Sequence, residues 1–316
     1  MIKFHKAHLI ICLSIIAVAF YSCSQPSKVN NISISGAFAL YPVTVKWAEE
    51  YQKLHPDVVI DISAGGAGKG MTDVLSGMVD LAMFSRTVTD QEVEKGAWSV
   101  AVARDAVVPT VNASNPFIDI LMMQGITRLQ FADLYVNRKI TLWNQLISSA
   151  KAEKINIYTR SDACGAAEMW AKYLESNQES LTGTGVFGDP GIADAVRNDK
   201  MGIGYNNVIY AYDIKSRKPY NGIKVIPIDT NGDGQINEEE NFYSTLDDMM
   251  KAIAEDKFPS PPARDLYLIS KGKPVKKATL DFLNWILTDG QKFVSEAGYV
   301  QLKAEKVAEQ KVKLSN

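Results

Sequence analysis

A strand, a glycine-rich loop, a helix and a second strand follow one another in residues 58–86, and this run constrains the fold more than any other. Residues 58–63 end in the alternation of apolar and polar side chains that is typical of a half-buried strand. The loop 64–70 carries almost no side chains, and the apolar spacing of residues 71–77 indicates a short helix. Residues 80–86 form a mostly apolar segment. The run therefore predicts a βαβ unit of an α/β protein.

The glycine loop lies where open α/β sheets bind ligands, at the carboxyl end of a strand. Glycines let the backbone approach a ligand closely, and the N-terminus of the following helix presents unpaired N–H groups to an anion. A tight turn in any α/β protein could use the same glycines. Taken alone, the loop is compatible with an anion cradle and with a plain turn.

The N-terminal segment has the pattern of an export signal. Lys3 and Lys6 form a basic region, residues 9–20 an apolar region too short to cross a membrane, and a small-residue exit ends on Cys23. The Ser-Cys junction resembles a bacterial lipoprotein cleavage box. We therefore predict a signal peptide at 1–22, a lipid on Cys23 and a polar tether over 23–30. The alternative is a plain secretory signal, and in both cases the protein is exported. With the lipid it is anchored in the bacterial cell envelope.

Composition excludes several classes of function. The net charge is only −2, and no basic stripe indicates a nucleic-acid partner. Cys12 and two of the three histidines leave with the signal peptide, so the mature chain keeps Cys164 as its free thiol and His55 as its histidine. We therefore expect no disulfide framework, no zinc site on His and Cys, and no Ser-His-Asp or Cys-His relay. The chain is not expected to be an enzyme.

A series of motifs along the mature chain resembles the phosphate-binding proteins of ABC importers. The motifs occur in the family's order and cover most of the mature chain. In chain order they are Ser-Gly-Ala-Phe-Ala-Leu-Tyr-Pro at 35–42, the glycine loop at 65–70, Val-Asp to Ser-Arg at 79–86, Ala-Arg-Asp at 103–105, Phe-Ala-Asp-Leu-Tyr at 131–135, Arg-Ser-Asp-Ala-Cys-Gly at 160–165, Gly-Ile-Gly-Tyr at 202–205 and the segment 282–300.

This resemblance implies an α/β, two-lobed type 2 periplasmic-binding-protein fold. Each lobe would be a mixed sheet flanked by helices, and two hinge crossings would join the lobes. Lobe 1 would comprise 31–108 and 213–316, and lobe 2 the inserted segment 109–212. The implied function is that of a solute-binding lipoprotein, a monomer that binds an oxyanion between its lobes and delivers it to an ABC permease in the inner membrane. Phosphate is the first candidate.

The resemblance also implies which residues contact the anion, and here the sequence departs from the family pattern. Most hydroxyl donors of the family are absent, whereas the positive charges remain. Each lost hydrogen bond to a charged acceptor removes roughly 1.5–3 kcal/mol, so three losses weaken binding on the order of 10³-fold or more unless backbone N–H groups compensate. A different or larger anionic ligand is therefore an alternative. The candidate contacts are Ala37, Phe38, Ala39, Ala67, Gly68, Lys69, Ser85, Arg86, Arg160, Cys164, Gly165 and Ala166.

Residues 229–240 independently match the twelve-residue calcium loop at every position. Oxygen donors stand at positions 1, 3, 5 and 9, Gly234 at position 6 allows the sharp turn, and a glutamate closes the loop at position 12. The loop is single and follows a strand-like segment, which favours a structural clamp over a sensor, and an acidic surface turn is the alternative. The predicted calcium ligands are Asp229, Asn231, Asp233, the carbonyl of Gln235, Asn237 and Glu240.

Two functions from other classes remain open at this stage. A phosphatase could use Cys164 or the metal loop, but the shortage of histidines counts against it, and Cys164 lacks a base and more plausibly fills the space of a family serine. A calcium-stabilised surface lipoprotein that binds a protein partner is compatible with the missing hydroxyls.

Overall fold

The structure is a computed structural model and describes residues 30–315, which form two α/β lobes. The predicted signal peptide, the lipidation site Cys23 and nearly all of the tether therefore lie outside the described residues. Within 30–315, no helix is long and apolar enough to span a bilayer. The strands are β1 Asn31–Gly36, β2 Val59–Ala64, β3 Leu81–Phe84, β4 Ala97–Asn112, β5 Ile126–Thr127, β6 Asn156–Arg160, β7 Thr184–Val186, β8 Gly202–Asn207, β9 Ile223–Val225, β10 Ile228–Asp229 and β11 Ala263–Lys271.

Helices flank both sheets. They are α1 Tyr41–Leu54, α2 Ala67–Leu75, α3 Asp90–Glu94, α4 Ile118–Gln124, α5 Arg128–Tyr135, α6 Trp143–Leu146, α7 Gly165–Tyr173, α8 Gly188–Asn198, α9 Val208–Ala211, α10 Leu246–Ala254, α11 Lys277–Ile286, α12 Lys292–Glu296 and α13 Ala304–Ser315. Local sequence sets several helix starts. Pro42 stands in the first turn of α1, and the side chains of Thr89 and Thr127 cap α3 and α5 in capping boxes.

The first sheet has the strand order β2-β1-β3-β11-β4. β1 pairs in parallel with β2 and β3, and β11 runs antiparallel to β3 and β4. The predicted strand-loop-helix-strand run is thus the β2-α2-β3 unit. In the second sheet β4 is followed by β8, β6 and β7, and the short strand β9 pairs with β4. The predicted mixed α/β architecture is confirmed.

The strand β4 belongs to both sheets. Its first part, as far as Ala106, pairs with β11, and its second part, from Val107 onward, pairs with β8. Each lobe has its own apolar core, one around Trp47 and Phe282 and the other around Trp170 and Tyr205. Complete burial of one such side chain contributes about 1.5–3 kcal/mol or more, so each lobe has a substantial core.

The return to the first lobe comes later than the sequence analysis placed it. We predicted that the chain re-enters lobe 1 at 213, but β9 pairs with the second half of β4, and β10 pairs with β5. Tyr243, Leu246 and Phe258 belong to the second core, so the chain re-enters lobe 1 only at β11. The apolar spacing of α10 is compatible with packing on either core. The residues that α10 contacts in the folded protein place it on the second core. The loop 229–240 consequently lies on lobe 2, where Ile236 N donates to Met123 O at 2.8 Å.

Candidate anion site between the lobes

The carboxyl ends of strands from both lobes meet at one junction. In lobe 1, β1 leads into a 3₁₀ turn and α1, and β2 leads into α2. In lobe 2, β6 leads through a short loop into α7, and β7 leads into α8. Because the first N–H groups of a helix lack intrahelical partners, each N-terminus offers donors and a partial positive charge to an anion. This arrangement brings segments that the sequence analysis named as candidate anion contacts to one junction.

The two lobes touch closely at this junction. Gly68 N donates to Ala163 O at 3.2 Å. A Cβ on Gly165 would lie 2.2 Å from the carbonyl oxygen of Ser85, so only glycine fits there when the lobes are together. Ser85, Ala67 and the first residues of α7 are buried. The described conformation is therefore a closed one, and a ligand must enter from a more open form.

Arg160 lies at the centre of the junction, at the end of β6. Its Nε donates to Asp162 Oδ1 at 2.8 Å, its Nη2 to Asp162 Oδ2 at 2.6 Å and its Nη1 to Asp189 Oδ2 at 2.5 Å. The guanidinium lies 5.7 Å from the centroid of the Phe38 ring. Burial opposes the charge of Arg160, but the carboxylates of Asp189 and Asp162 outweigh it and hold the pKa above its ordinary value. Three of the five N–H groups of Arg160 are used, and two remain for a ligand.

Arg86 joins the two lobes. Its Nη2 contacts Glu92 Oε1 at 2.6 Å within lobe 1, and its Nε contacts Glu168 Oε2 at 2.9 Å on α7 of lobe 2. It also lies over the Phe84 ring, at 4.4 Å from the centroid. In the closed form Arg86 therefore forms a salt bridge across the junction, and its predicted contact with the anion stays a prediction.

Lys69 lies on the first turn of α2, where it is paired with Asp73, the residue one turn later. Half of its side chain is exposed, so this ion pair contributes little. Asp73 also accepts a hydrogen bond from Ser35 Oγ at 2.7 Å. The structure thus gives Lys69 a local partner, and the contact between Lys69 and an anion remains untested.

The first loop contributes an aromatic side chain rather than hydroxyl donors. Ala37 and Ala39 are buried, and the ring of Phe38 meets that of Phe187 edge to face, with 5.8 Å between centroids. The backbone of this loop is fixed by two tyrosines, because Tyr210 donates to the carbonyl of Phe38 and Tyr299 to that of Ala39. The Phe38–Phe187 contact crosses from one lobe to the other.

Cys164 caps α7 in the way that a serine would. Its Sγ accepts a hydrogen bond from Ala167 N at 3.4 Å. Burial raises the pKa of the thiol to about 12, so little thiolate forms at neutral pH. Gly165 and Ala166 follow at the first two positions of α7, where the helix provides no partner for their N–H groups. These two N–H groups are donors that could replace missing hydroxyls.

Sequence reasoning missed the acidic side chains of the junction. Asp162 and Asp189 are partners of Arg160, and Glu168 is a partner of Arg86 beside Glu92. Asp162 follows Arg160 by two residues in the motif at 160–165, so the sequence itself indicated that the two side chains could meet. Asp189 and Glu168 come from other elements, and no pattern in the chain links them to Arg160 and Arg86.

The loop 229–240 has two buried carboxylates that accept hydrogen bonds from its own backbone. Asp229 accepts from the N–H groups of Gly232 and Gly234 at 2.7 and 3.0 Å. Glu240 accepts from Thr230 N at 2.8 Å and also from the Thr230 hydroxyl. Burial raises the pKa of Glu240, but the hydrogen bonds from Thr230 outweigh burial and leave the pKa below its ordinary value.

The donor types of this loop suit calcium, which binds oxygen ligands. Gly232 and Gly234 have φ of 75° and 77°, in the left-handed region that favours glycine. Among residues 30–315, however, no three His, Cys, Asp or Glu side chains are arranged to hold a metal. In the described conformation Glu240 is directed to Thr230. The types of donor in the loop therefore fit calcium, but in the described conformation their side chains do not point to a common centre.

Comparison with known proteins identifies a family and a fold. The model of the PBP superfamily domain matches residues 23–290. Phosphate-binding protein PstS of Methanocaldococcus jannaschii is 27% identical, with 92% of this chain and 90% of that protein covered. A Clostridium perfringens crystal structure with bound phosphate superposes with a TM-score of 0.71 at 22% identity, covering 87% of this chain and 100% of that one. An ABC-type phosphate transport receptor from Vibrio cholerae gives 0.62 at 20% identity, covering 86% and 100%.

Proposed function

The chain belongs to the PBP superfamily, and from this premise we propose that it is the substrate-binding protein of an ABC importer with phosphate as its ligand. The observation that carries the proposal is that helix N-termini of both lobes meet at the junction that contains Arg160, where Gly68 N contacts Ala163 O and the guanidinium faces the Phe38 ring. Relatives along most of the chain are named phosphate-binding proteins, which supports phosphate over other anions. The partner would be a membrane permease.

Backbone groups take the role of the missing hydroxyls in this proposal. The N–H groups of Gly165 and Ala166, in the first turn of α7, and the two remaining N–H groups of Arg160 would donate to the phosphate oxygens. Asp162 fixes the orientation of the guanidinium through two parallel hydrogen bonds. The lobes open to admit the ion and close over it, because the junction is buried in the closed form.

The carboxylates of the junction favour an anion that still carries a proton. Asp162 and Asp189 lie next to Arg160, so a fully ionised ligand would face two negative charges. Phosphate at neutral pH keeps at least one proton and can donate it to a carboxylate, whereas sulfate cannot. We therefore expect binding of phosphate to exceed binding of sulfate.

Phosphate is expected to raise the melting temperature of the protein, and Arg160→Lys is expected to remove about half of this shift or more. A ligand at 100 times its dissociation constant adds about 2.7 kcal/mol to the stability. Lysine keeps the positive charge but loses the planar fork, so phosphate affinity should fall at least about tenfold. The measurement is thermal unfolding with phosphate, sulfate, molybdate and organic phosphates, followed by calorimetric titration.

Arg197→Lys is the matched control, because Arg197 lies on α8 of the same lobe and, within residues 30–315, pairs only with Asp194 near the surface. It should bind phosphate like the wild type. A shift with another anion alone would keep the anion site and change the substrate. No shift with any anion would contradict the proposal and favour a surface lipoprotein that binds a protein partner.

We further propose that the protein is exported and held in the envelope by a lipid on Cys23. The support is the order of basic region, apolar region and cysteine at the N-terminus. Mass spectrometry of the N-terminal peptide from the purified membrane fraction tests this proposal. An unmodified Cys23, or cleavage at another residue, would contradict it.

The loop 229–240 is proposed to bind calcium as a structural ion. Calcium at 100 times its dissociation constant should add about 2.7 kcal/mol, which corresponds to a rise in melting temperature of roughly 5 °C or more. Glu240→Gln should abolish the rise, because the amide is a neutral ligand and cannot bind the ion through two anionic oxygens. Glu239→Gln, at an exposed neighbouring position, is the control and should keep it. If calcium raises the melting temperature of the Glu240→Gln variant as much as that of the wild type, the site is refuted. It is also refuted if calcium added to chelator-treated wild type gives no rise.

A further inference from the structure

The edge of the first sheet that faces away from the anion site carries connecting segments with exposed side chains. The parallel strands β1, β2 and β3 all begin at this edge, because their carboxyl ends point to the junction. β11 is antiparallel to them and ends there at Lys271. The residues before β2, the residues before β3 and the loop 271–277 therefore lie together at what we call the basal edge.

Large apolar side chains are exposed at the basal edge. Val275 is 94% exposed, Met78 is 74% exposed and Leu54 is 64% exposed. Single exposed apolar residues are common on protein surfaces, but a group at one edge marks an interaction site. Two polar contacts join the segments that carry them. Lys276 Nζ lies 3.0 Å from Asp80 Oδ2, and Asn30 Nδ2 donates to Asp57 Oδ2 at 2.8 Å.

The loop 271–277 is also strongly basic. Its sequence Lys-Gly-Lys-Pro-Val-Lys-Lys contains four lysines in seven residues and no acidic residue. Lys276 and Lys277 are paired with Asp80 and Asp281, and Lys271 is exposed. An almost fully exposed valine among lysines is the composition that binds an anionic membrane surface, since the apolar group enters the interface and the cations contact the headgroups.

The chain enters the fold at this same edge. Asn30 immediately precedes β1, and Cys23 stands seven positions earlier in the sequence. Seven residues span at most about 25 Å, even when fully extended. A lipid on Cys23 therefore keeps the basal edge within a short distance of the bilayer.

We propose that the basal edge rests on an anionic bilayer, with Val275 and Met78 in the headgroup region and the lysines of loop 271–277 against the lipid phosphates. The proposal rests on the lipid anchor at Cys23 proposed above. A second copy of the chain is a poorer occupant, because two copies of the lysine-rich loop 271–277 would repel each other. The contact orients lobe 1 relative to the membrane and leaves the junction between the lobes away from the lipid surface.

Site-specific fluorescence on the membrane-purified lipoprotein tests the contact. A polarity-sensitive dye is attached to Val275→Cys, to Met78→Cys and, as a control on lobe 2, to Leu129→Cys, which is 69% exposed. The native thiol at position 164 is buried and Cys23 would be blocked by lipid. In phosphatidylglycerol vesicles that contain a brominated lipid, the dyes at 275 and 78 should shift to shorter wavelength and be quenched, whereas the dye at 129 should not change.

Charge reversal and flotation separate the possible outcomes. Lys271→Glu with Lys273→Glu should reduce quenching at position 275 to the level of position 129, and Lys215→Glu with Lys218→Glu on lobe 2 should leave it intact. If the wild type fails to float with vesicles, both the anchor and the contact are wrong. If it floats but the three dyes behave alike, the contact alone is wrong. If the dye emission shifts to shorter wavelength without vesicles, and the shift grows with protein concentration, a second copy of the chain covers the basal edge.

Discussion

Replacing Arg264 by methionine is expected to lower the free energy of unfolding by about 3–5 kcal/mol. Arg264 and Asp105 are both 3% exposed at their side chains and form a bidentate pair, with Nε 2.9 Å from Oδ1. Arg264 Nη1 also donates to Gly165 O at 2.7 Å, and Nη2 donates to Asn207. The variant would leave Asp105 charged in the protein interior and remove the link between β11 and the start of α7.

Arg104→Met is the matched control for this prediction. Arg104 neighbours Asp105 on β4, but its partners Asp256 and Asp265 are partly exposed, so the loss should be at most about 1 kcal/mol. The double variant Arg264→Met with Asp105→Leu should recover most of the stability, since it removes the unpaired charge. Urea unfolding measures all three variants. If Arg104→Met and Arg264→Met lower the free energy of unfolding by similar amounts, the stabilising role assigned to the buried Arg264–Asp105 pair is wrong.

The defect of Arg264→Met should also depend on pH. Burial raises the pKa of Asp105, and Arg264 is the neighbour that opposes this effect, so its removal raises the pKa further. A carboxyl group whose pKa is higher in the folded than in the unfolded protein stabilises the fold below its unfolded pKa of about 4, and this contribution is lost as the pH rises through the folded pKa. The stability deficit should therefore be smallest in acid and grow toward neutral pH.

Gly165→Ala is expected to weaken phosphate binding on the order of 10- to 100-fold while leaving each lobe folded. The new methyl group would lie 2.2 Å from the carbonyl oxygen of Ser85, a backbone atom that cannot turn aside. Overpacking of this kind typically destabilises by about 1–3 kcal/mol, and here separation of the lobes relieves it. The variant should thus shift the population toward the open form.

Calorimetric titration measures the affinity, and small-angle X-ray scattering measures the opening. The control is Gly185→Ala on β7, where the added methyl group would lie 3.3 Å from Ser161 Cβ, within lobe 2. The control should retain the compact shape and the affinity of the wild type. A Gly165→Ala protein that is as compact as the wild type would refute the clash. An opened protein with unchanged affinity would show that phosphate binds elsewhere.

Local patterns predicted the βαβ unit, because alternation, helical spacing and the glycine loop are properties of short segments. The two-lobed fold was implied by the resemblance of the motif series to a known family. The boundary at 213 could not be obtained in this way. The segment from β9 to α10 is apolar enough for either core, and its place depends on strand partners at Thr110 and Ile126, which are far away in sequence.

The charges of the site show the same limit. The sequence identified Arg160 and Arg86 as candidates, yet their carboxylate partners Asp189 and Glu168 lie on helices of lobe 2 that periodicity does not position. The sequence shows that a side chain is a cation, but the fold is needed to show which carboxylates are paired with it. In the folded protein both arginines form ion pairs with carboxylates. An anion that enters the junction must therefore share the arginines with these carboxylates or displace them.

The position of β1 has a mechanical consequence. The chain passes from Asn30 directly into β1, which is hydrogen-bonded to β2 on one side and to β3 on the other. A pull on the N-terminal end acts along the strand, so the rows of hydrogen bonds on both sides carry the load in shear and do not open one by one. A pull on this end therefore loads both rows of hydrogen bonds of the first strand at the same time.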